Sequence, residues 1–351
     1  MNIQDYYEGK NVLITGHTGF KGSWLSRILH NLGSNVFGLS TEPPTNPNLF
    51  SIVAPKTKMN SIILDIRNYE NVQLFVKHCR PEVIIHMAAQ PLVSVGYSDP
   101  LTTYSTNVMG TVNILEAIRR TNTNCSFLNV TTDKVYKNNE WPWGYREDDY
   151  LNGFDPYSNS KSCSELVTSC YYNSYFNGKV PVSTARAGNV IGGGDFSSNR
   201  IIPDCVRAAL SGNKMILRNP YSTRPYQHVL EPLFAYLMIA MKQSEDFRYC
   251  GSYNVGPDES SHVNNKMLVD IFKKYWGQGF DYSMPQVEPD FHEANFLKLD
   301  CSKIKSTFGW KPRLSVDEAI EKTIEWTKSW YTGQDCLKQM DLQIEDYFNK
   351  Q

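Results

Sequence analysis

The chain has 351 residues, 41% of them hydrophobic and 20% charged, with a formal net charge of −1. The length allows one large domain or two that share a core, and the composition is typical of a globular protein. Because the charges balance, neither a nucleic acid nor an anionic membrane surface is expected as a partner.

The first ten residues, MNIQDYYEGK, carry acids and tyrosines where a secretory signal needs a basic start and an apolar run. No apolar stretch approaches the roughly 20 residues that span a bilayer. The eight cysteines are scattered without a C-x-x-C pair, which predicts reduced thiols rather than disulfides or a metal site. We therefore expect a cytoplasmic protein.

The first half of the chain alternates short apolar runs with stretches of helical periodicity. Strands are predicted at 11–15, 35–39, 61–65, 82–88, 126–132 and 180–187. Helices are predicted between them at 23–33, 68–79, 103–121 and 156–176. Short apolar strands separated by helices indicate a parallel sheet covered on both faces, so we predict a Rossmann-like, doubly wound α/β fold.

After about residue 187 the alternation loosens, which indicates a second, smaller α/β lobe. The predicted elements there are a strand at 252–256 and helices at 203–212, 229–243, 264–277 and 315–331. We predict a first domain over 1–187, joined by about 229–258. The second lobe is expected to consist of 188–228 and 259–351.

A Gly-rich turn, 16-GHTGFKG-22, follows the first predicted strand and opens the first helix. Glycines at such a turn let the backbone approach a pyrophosphate, and the N–H groups at the helix start can bind it. The alternative is a tight turn that merely needs glycine dihedral angles. We predict a dinucleotide site in the first domain, with contacts from Gly16, Thr18, Gly19, Phe20 and Gly22.

The end of the second predicted strand favours NAD over NADP. An acidic residue usually ends this strand and binds the ribose hydroxyls of NAD. Here the strand is followed by Ser40, with Glu42 beyond it, so the ribose contact is left open. No Arg or Lys lies at this point to accept the 2′-phosphate of NADP.

Two further strand ends are expected to contact the cofactor. Asp65 and Ile66 follow the third predicted strand, where Asp65 would either bond the adenine or cap the next helix. Ala88 and Ala89 at the end of the fourth strand are small enough to let the cofactor pass closely.

Tyr157 and Lys161 are four residues apart, hence on the same face of the helix 156–176. Asp155 and Pro156 make a good N-cap and first helical position. A neighbouring ammonium favours the phenolate, so we expect the pKa of Tyr157 to be lowered towards neutrality. Such a phenolate could remove a hydroxyl proton while a hydride leaves the same carbon. The alternative is an exposed helix without a chemical role.

The turn 131-TTDKVY-136 places Thr132, Asp133 and Lys134 directly after an apolar strand. These polar residues either end the strand in a local salt bridge or act on a substrate. Following the Gly-rich turn and preceding the tyrosine–lysine pair, they become candidates for proton transfer.

Eight segments, in order along nearly the whole chain, resemble the extended short-chain dehydrogenase/reductase family of nucleotide-sugar enzymes. They are 16-GHTGFKGSWL-25, 131-TTDKVY-136, 141-WPWGYRE-147, 155-DPYSNSK-161, 186-RAGNVIGGGD-195, 216-ILRNP-220, 224-RPYQHVLEPL-233 and 297-LKLDCSK-303. Within the family they are most similar to the branch that acts on CDP-glucose. The resemblance implies NAD-dependent conversion of CDP-glucose into CDP-4-keto-6-deoxyglucose, with the second lobe binding the substrate.

The resemblance also implies roles for the residues of the turn. Once C4 of the sugar is oxidised, a base must remove the C5 proton while an acid helps the C6 hydroxyl leave. Asp133 is expected to be the acid and Lys134 the base, with Thr132 beside Tyr157. Similar dehydratases carry glutamate at the position of Lys134, and a lysine acts as a base only when it is neutral. Lys134 could instead stabilise an enolate electrostatically.

The resemblance further implies substrate contacts and a partner. Arg224 and His228 are expected to bind the diphosphate, since a guanidinium makes forked bonds to phosphate. Asn189 is expected to contact the sugar or a phosphate. Helices 103–121 and 156–176 are expected to pair with a second copy in a four-helix bundle, which makes the protein a homodimer. Weaker candidates, or residues with an undecided role, are Arg186, Glu293, Lys298, Trp141 and Trp143.

Two other functions stay open from the sequence. One is a dehydratase or 4-epimerase that acts on a dTDP-, UDP- or GDP-linked sugar, because no rule derived from the residues distinguishes cytosine from other bases. The other is a redox-sensing binding protein without catalysis, which would not be expected to keep both Tyr157 and Lys161.

Overall fold

A seven-stranded parallel sheet forms the centre of the molecule, with strand order β11-β6-β5-β4-β1-β2-β3. The computed structural model describes residues 2–258, 261–285 and 296–349. The strands are β1 Asn11–Thr15, β2 Asn35–Ser40, β3 Met59–Ile63, β4 Val83–His86, β5 Ser126–Thr132, β6 Val182–Ala187, β7 Asn189–Ile191, β8 Met215–Ile216, β9 Thr223–Arg224, β10 Tyr226–His228, β11 Gly251–Val255, β12 Val263–Asn264 and β13 Tyr282–Ser283.

Helices connect the strands and cover both faces of the sheet. They are α1 Ile3–Tyr7, α2 Phe20–Asn31, α3 Phe50–Val53, α4 Tyr69–Cys79, α5 Val93–Ser98, α6 Pro100–Tyr104, α7 Gly110–Thr121, α8 Pro156–Tyr171, α9 Ile201–Ser211, α10 Leu230–Glu245, α11 Asn265–Trp276, α12 Ser302–Phe308, α13 Val316–Tyr331 and α14 Cys336–Asn349. A 3-10 turn, Asp133–Val135, follows β5 directly. The predicted Rossmann-like α/β fold is confirmed.

The two faces of the sheet follow from the alternation of side chains along each strand. Val12 and Ile14 of β1 face the layer of α2 and α10, in one buried apolar cluster. Leu13 between them faces the layer of α4 and α7, in a second cluster. Because every central strand is buried on both sides, the strands read in the sequence as continuous apolar runs.

The chain changes direction in the sheet at β1, which lies between β2 and β4. It first runs outward through β2 and β3, then returns to the other side of β1 at β4. A crevice at the carboxyl ends of the strands forms at such a reversal and is the usual ligand site of open α/β sheets. Gly16 and Ala88, which follow β1 and β4, therefore meet at this crevice.

A third apolar cluster forms the core of the later part of the chain, with Ile191, Leu217, Tyr226, Phe272 and Ile324 among its members. β11 returns to the main sheet, where it pairs with β6. The C-terminal helix α14 packs with Phe234 of α10 in the first cluster. Within the described ranges, none of the helices is both long and apolar enough to cross a membrane.

Several predicted boundaries differ from the structure. β3 ends at Ile63, so Asp65 lies beyond the strand and not at its last position. The predicted helix 103–121 is interrupted by a π-helical turn at Ser105–Met109, and a second one, Tyr172–Phe176, follows α8. The two π-helical turns were not predicted because the pattern of apolar residues does not show a change in helical hydrogen bonding.

Candidate active site

The Gly-rich turn leaves no room for side chains at two of its glycines. Gly16 has φ of +80°, and a Cβ there would lie 2.9 Å from the backbone nitrogen of Ala88. A Cβ on Gly22 would lie 2.1 Å from the carbonyl oxygen of Gly16. Gly19 is the N-cap of α2 and makes no side-chain capping bond to the helix. The first turn of α2, which begins at Phe20, can therefore offer its N–H groups to an anion.

Hydroxyl groups occupy the end of β2 where an acidic residue would bind a ribose. Thr18 lies 2.8 Å from the Ser40 hydroxyl and donates a hydrogen bond to the Thr41 carbonyl at 2.9 Å. Asp65 accepts hydrogen bonds from the Arg67 guanidinium at 2.6 and 2.9 Å. This contact lowers the pKa of Asp65. Asp65 does not cap the next helix, because Asn68 is the N-cap of α4 and accepts from the Asn71 N–H at 3.1 Å. The adenine contact of Asp65 stays a prediction.

The remaining predicted cofactor residues surround the same crevice. Ala88 and Ala89 are half-buried after β4, and the Ala88 N–H donates to the Thr15 hydroxyl at 3.1 Å. Ile66 is buried against Gly110, where a Cβ would lie 2.3 Å from its side chain. Ile66 therefore packs directly against the backbone at the start of α7.

The turn after β5 buries a carboxylate. Thr132 donates to Oδ1 of Asp133 at 2.9 Å, and Nζ of Lys134 lies 3.5 Å from the same oxygen. Asp133 is 0% exposed, and its Oδ2 has no hydrogen-bond partner among the residues that the structure describes. Buried polar atoms are nearly always paired, so the unpaired Oδ2 is the oxygen of Asp133 that stays available to a ligand.

Tyr157 and Lys161 stand on the first two turns of α8, beside that turn. Asp155 caps the helix through the backbone N–H of Ser158 at 3.0 Å. Burial raises the pKa of Tyr157 to about 12, although a hydrogen bond with Thr132 and the charge of Arg200 act in the opposite direction. The expectation that the pKa of Tyr157 is lowered is thus wrong for this structure, because burial outweighs the cations.

Lys161 is itself buried, and its ammonium hydrogen-bonds to the backbone of β5. Nζ donates to the carbonyl of Val130 in β5 at 3.1 Å. Burial lowers the pKa of Lys161 to about 8, while the charge of Glu165 opposes this shift. Lys161 therefore ties α8 to β5 just before the turn Asp133–Val135.

Two cations at this site were missed in the sequence. Lys21 lies in the first turn of α2, and burial together with the charges of Lys161 and Arg200 lowers its pKa to about 7. Arg200, the N-cap residue of α9, forms an ion pair with Asp195 at 3.3 Å. Lys21 lies inside the Gly-rich motif and could have been noticed there, whereas Arg200 reaches the site only through the fold.

The predicted substrate residues lie on neighbouring short strands. Asn189 opens β7 opposite Tyr226 of β10. Arg224 ends β9, is 7% exposed and donates to the Thr223 carbonyl at 3.0 Å. His228 is completely buried, with its ring 5.9 Å from that of Trp24, and burial lowers its pKa to about 3. Nε2 of His228 has no hydrogen-bond partner among the described residues, and its expected contact with a diphosphate stays a prediction.

The two tryptophans of the loop after the turn line a cavity of about 550 Å³ together with Lys298. The ring of Trp141 stacks on Tyr145 at 5.6 Å, whereas Trp143 is 60% exposed. Trp141 therefore packs inside the protein, and Trp143 is the ring that is accessible from solvent. Glu293 lies outside the described residues.

Together, the parallel sheet, the Gly-rich turn and the Tyr157–Lys161 pair define an extended short-chain dehydrogenase/reductase. The family model of GDP-mannose 4,6 dehydratase matches residues 13–323. A CDP-glucose 4,6-dehydratase of Salmonella typhimurium is 43% identical, over 99% of this chain and 98% of the relative. The chain belongs to the GDP-mannose 4,6 dehydratase family, which confirms the resemblance found in the sequence.

Solved structures show the same fold. A dTDP-glucose 4,6-dehydratase of Bacillus anthracis, in complex with NAD, has a TM-score of 0.75 and 23% identity, over 92% of this chain and 98% of that one. A UDP-glucose 4-epimerase of Thermus thermophilus, also in complex with NAD, has a TM-score of 0.76 and 23% identity, over 90% and 98%.

Proposed function

We propose that this protein is an NAD-dependent 4,6-dehydratase that converts CDP-glucose into CDP-4-dehydro-6-deoxyglucose. The observation that carries the proposal is the 43% identity, over 99% of the chain, to a CDP-glucose 4,6-dehydratase. Asp133 and Lys134 support it, because a dehydration needs two proton-transfer groups that a 4-epimerisation does not. Both stand beside Thr132 and Tyr157 in the crevice.

The residues at the crevice fit NAD. A Cβ on Gly16 or Gly22 would collide with the turn, so the backbone surface stays open to a pyrophosphate, and the start of α2 lacks a side-chain cap. The hydroxyls of Thr18 and Ser40 can bind a ribose in place of an acidic residue. Asp65, Ile66, Ala88 and Ala89 are the proposed adenine-side and strand-side contacts. Bound NAD would supply the acceptor for the hydride of C4 and the donor of the hydride to C6.

Tyr157 is the proposed base of the first step. It takes the proton of the C4 hydroxyl as the C4–H bond breaks, so C4 becomes a ketone and the phenolate becomes a phenol. Burial raises the pKa of Tyr157 to about 12, so the phenol predominates in this structure. The charge of Arg200 and the hydrogen bond with Thr132 are the contacts that favour the phenolate needed for this step. Lys161 holds the helix that carries Tyr157 against β5.

Asp133 and Lys134 perform the proposed elimination. The proton that Lys134 and Asp133 share across 3.5 Å is placed on Asp133, which leaves a free electron pair on Lys134. The 4-keto group acidifies the C5 proton, which Lys134 accepts as the C5–C6 double bond forms. Asp133 donates a proton to the C6 hydroxyl, which leaves as water. The free Oδ2 of Asp133 supports this assignment, since it is the oxygen that is not already bonded within the turn.

The substrate is proposed to lie between two lobes, with 1–187 and about 229–258 binding NAD, and 188–228 with 259–351 binding the sugar nucleotide. The separate apolar cluster that contains Leu217, Tyr226 and Phe272 supports this division. Arg224 is the proposed diphosphate contact and Asn189 the proposed sugar contact. The product is a 4-keto-6-deoxy sugar, which suits deoxysugar biosynthesis in the cytoplasm.

The proposed homodimer uses α7 and α8 of each subunit. Large apolar side chains are exposed along these helices and their π-helical turns, although isolated domains seldom expose such a stripe. The exposed residues are Leu166 at 57%, Met109 at 51% and Tyr175 at 48%.

The test is to incubate the protein with NAD and, separately, CDP-, dTDP-, UDP- and GDP-glucose, and to follow each sugar nucleotide by mass spectrometry. Loss of one water from CDP-glucose is the expected result. Turnover of only a non-CDP sugar would overturn the substrate assignment. A product of unchanged mass with inverted C4 would show the 4-epimerase instead.

A further inference from the structure

A buried ion pair lies behind the catalytic turn. Glu165 of α8 and Arg186 of β6 are 2% and 3% exposed in their side chains. The Arg186 guanidinium donates from Nε and NH2 to the two carboxylate oxygens, at 3.0 Å each. A fork-shaped contact of this kind fixes the relative orientation of both side chains as well as their separation.

The carboxylate of this pair holds the first end of the turn. The Thr131 hydroxyl donates to Oε1 of Glu165, and Thr131 directly precedes Thr132 and Asp133. Glu165 also lies one helical turn after Lys161, whose ammonium bonds to Val130. α8 is therefore attached to two consecutive residues of β5, immediately before the turn begins.

The guanidinium holds the second end of the turn. NH1 of Arg186 donates to the hydroxyl of Tyr136 at 2.8 Å and to the carbonyl of Glu147 at 2.7 Å. The guanidinium carbon also lies 5.1 Å from the centre of the Tyr136 ring. Tyr136 in turn donates to the side chain of Asn254 in β11 at 2.6 Å. The Glu165–Arg186 pair thus reaches both residues that flank Thr132–Val135.

A buried ion pair adds little net stability, because the loss of hydration offsets the attraction between the charges. A bidentate pair that contacts both ends of one short turn can instead fix geometry. Displacement of a reacting group by about 1 Å can cost on the order of a hundredfold in rate. The groups that need this support are Asp133 and Lys134, since Tyr157 stands on a capped helix.

We propose that Glu165 and Arg186 are positioning residues that hold Asp133 and Lys134 in place for elimination, and that C4 oxidation depends on them much less. The proposal rests on the proposed function, because it assigns separate steps to the turn and to α8. Both side chains are buried, at 2% and 3% exposure, and are bonded to each other. Their effect passes through Thr131 at one end of the turn and Tyr136 at the other.

The test uses the full-length protein with NAD and CDP-glucose in rapid mixing. Formation of reduced nicotinamide reports oxidation, and its decay reports the elimination that must precede hydride return. Arg186→Lys keeps a charge for Glu165 but loses the fork. We expect formation to stay near the rate of the unaltered protein and decay to slow by about tenfold, so that reduced nicotinamide accumulates. An equal slowing of both phases, or none, would overturn the proposal.

A second variant covers the case in which Arg186→Lys does not fold. Tyr136→Phe removes only the hydroxyl that accepts the hydrogen bond from Nη1 of Arg186. Decay of reduced nicotinamide should slow by about threefold, while its formation should be unchanged. Tyr347→Phe is the matched control, because it removes another buried hydroxyl, bonded to Glu231 at 2.6 Å far from the turn. It should alter neither phase. An unchanged ratio of the two rates in Tyr136→Phe would overturn the proposal.

Amide hydrogen exchange provides a readout that needs no substrate. In Arg186→Lys, peptides covering 131–137 should exchange faster, while those covering 157–171 should not. Failure of the unaltered protein to act on CDP-glucose would refute the proposed function, without changing this result. Equal exchange of the turn in both proteins would refute the positioning role.

Discussion

The hydroxyl of Thr132 donates a hydrogen bond to Oδ1 of Asp133 at 2.9 Å, and the second carboxylate oxygen of Asp133 has no partner among the described residues. Thr132 also hydrogen-bonds to Tyr157. One threonine thus connects the group assigned to oxidation with the group assigned to elimination. Because the two steps are nevertheless assigned to different side chains, mutation can separate them.

Asp133→Asn should abolish most of the dehydration. The amide keeps the size of the side chain but cannot give a proton to the departing C6 hydroxyl, so loss of water should slow on the order of a hundredfold. Reduced nicotinamide should accumulate, because oxidation does not need Asp133. The measurement is water loss by mass spectrometry together with near-ultraviolet absorbance. Asp246→Asn, on the surface, is the control, and full dehydration by Asp133→Asn would remove the assigned role.

Two substitutions distinguish whether Lys134 acts as a base or as an electrostatic stabiliser. Arginine keeps the charge but stays protonated, whereas methionine removes the charge. If Lys134 removes the C5 proton, both variants should lose exchange of the C5 hydrogen with solvent deuterium. Substantial activity in Lys134→Arg but not in Lys134→Met would show that the charge alone is needed, contrary to the assignment.

Gly22→Ala should prevent the binding of NAD. A Cβ at this position would lie 2.1 Å from the Gly16 carbonyl oxygen, so the Gly-rich turn must move away from the start of α2. Isothermal titration should show no NAD binding by the variant. The control is Gly256→Ala, where the nearest atom to a Cβ would be 3.4 Å away. Unchanged NAD affinity of Gly22→Ala would refute the assigned turn.

Lys21→Met should stabilise the protein most at low pH. Burial lowers the pKa of Lys21 from 10.5 to about 7. The folded protein therefore binds a proton at Lys21 more weakly than the unfolded chain does. Burial of Lys21 therefore lowers the free energy of unfolding by its full amount below pH 7, and by less as the pH rises towards 10.5. The gain in Tm of Lys21→Met should be larger at pH 6 than at pH 9. A gain that is independent of pH, or larger at pH 9, would contradict this account.

Leu166→Glu should separate the proposed dimer. Leu166 is 57% exposed on α8, and a carboxylate there would have to be buried beside its counterpart in a two-fold helical interface. Light scattering with size-exclusion chromatography should give the mass of one chain. Leu342→Glu on α14, at 45% exposure, is the matched control and should leave the mass unchanged. A dimer that survives Leu166→Glu would exclude this face.

The alternation of apolar strands and helices was sufficient to predict the sheet, since every central strand is buried on both faces. The Gly-rich turn and the Tyr157–Lys161 pair could be found because each lies within a few residues of sequence. The ion pair between Glu165 and Arg186 could not be predicted from the sequence, because the two residues meet only when α8 packs on β6. Arg200 was missed for the same reason.

The pKa of Tyr157 shows why a local pattern does not determine chemistry. The spacing of Tyr157 and Lys161 predicts attraction between phenolate and ammonium, but it carries no information on burial. In the fold, Lys161 bonds to Val130, and burial raises the pKa of the phenol. For a similar reason, the motif that contains His228 did not reveal that its ring packs against Trp24.

Transfer of label from C4 to C6 tests the central claim most directly. CDP-glucose that carries deuterium on C4 should give a product that is one water lighter, with the deuterium on C6 and one solvent hydrogen on C5. This result requires oxidation, elimination and return of the same hydride within one site. Deuterium that remains on C4 of a product of unchanged mass, or that is lost to solvent, would contradict the account.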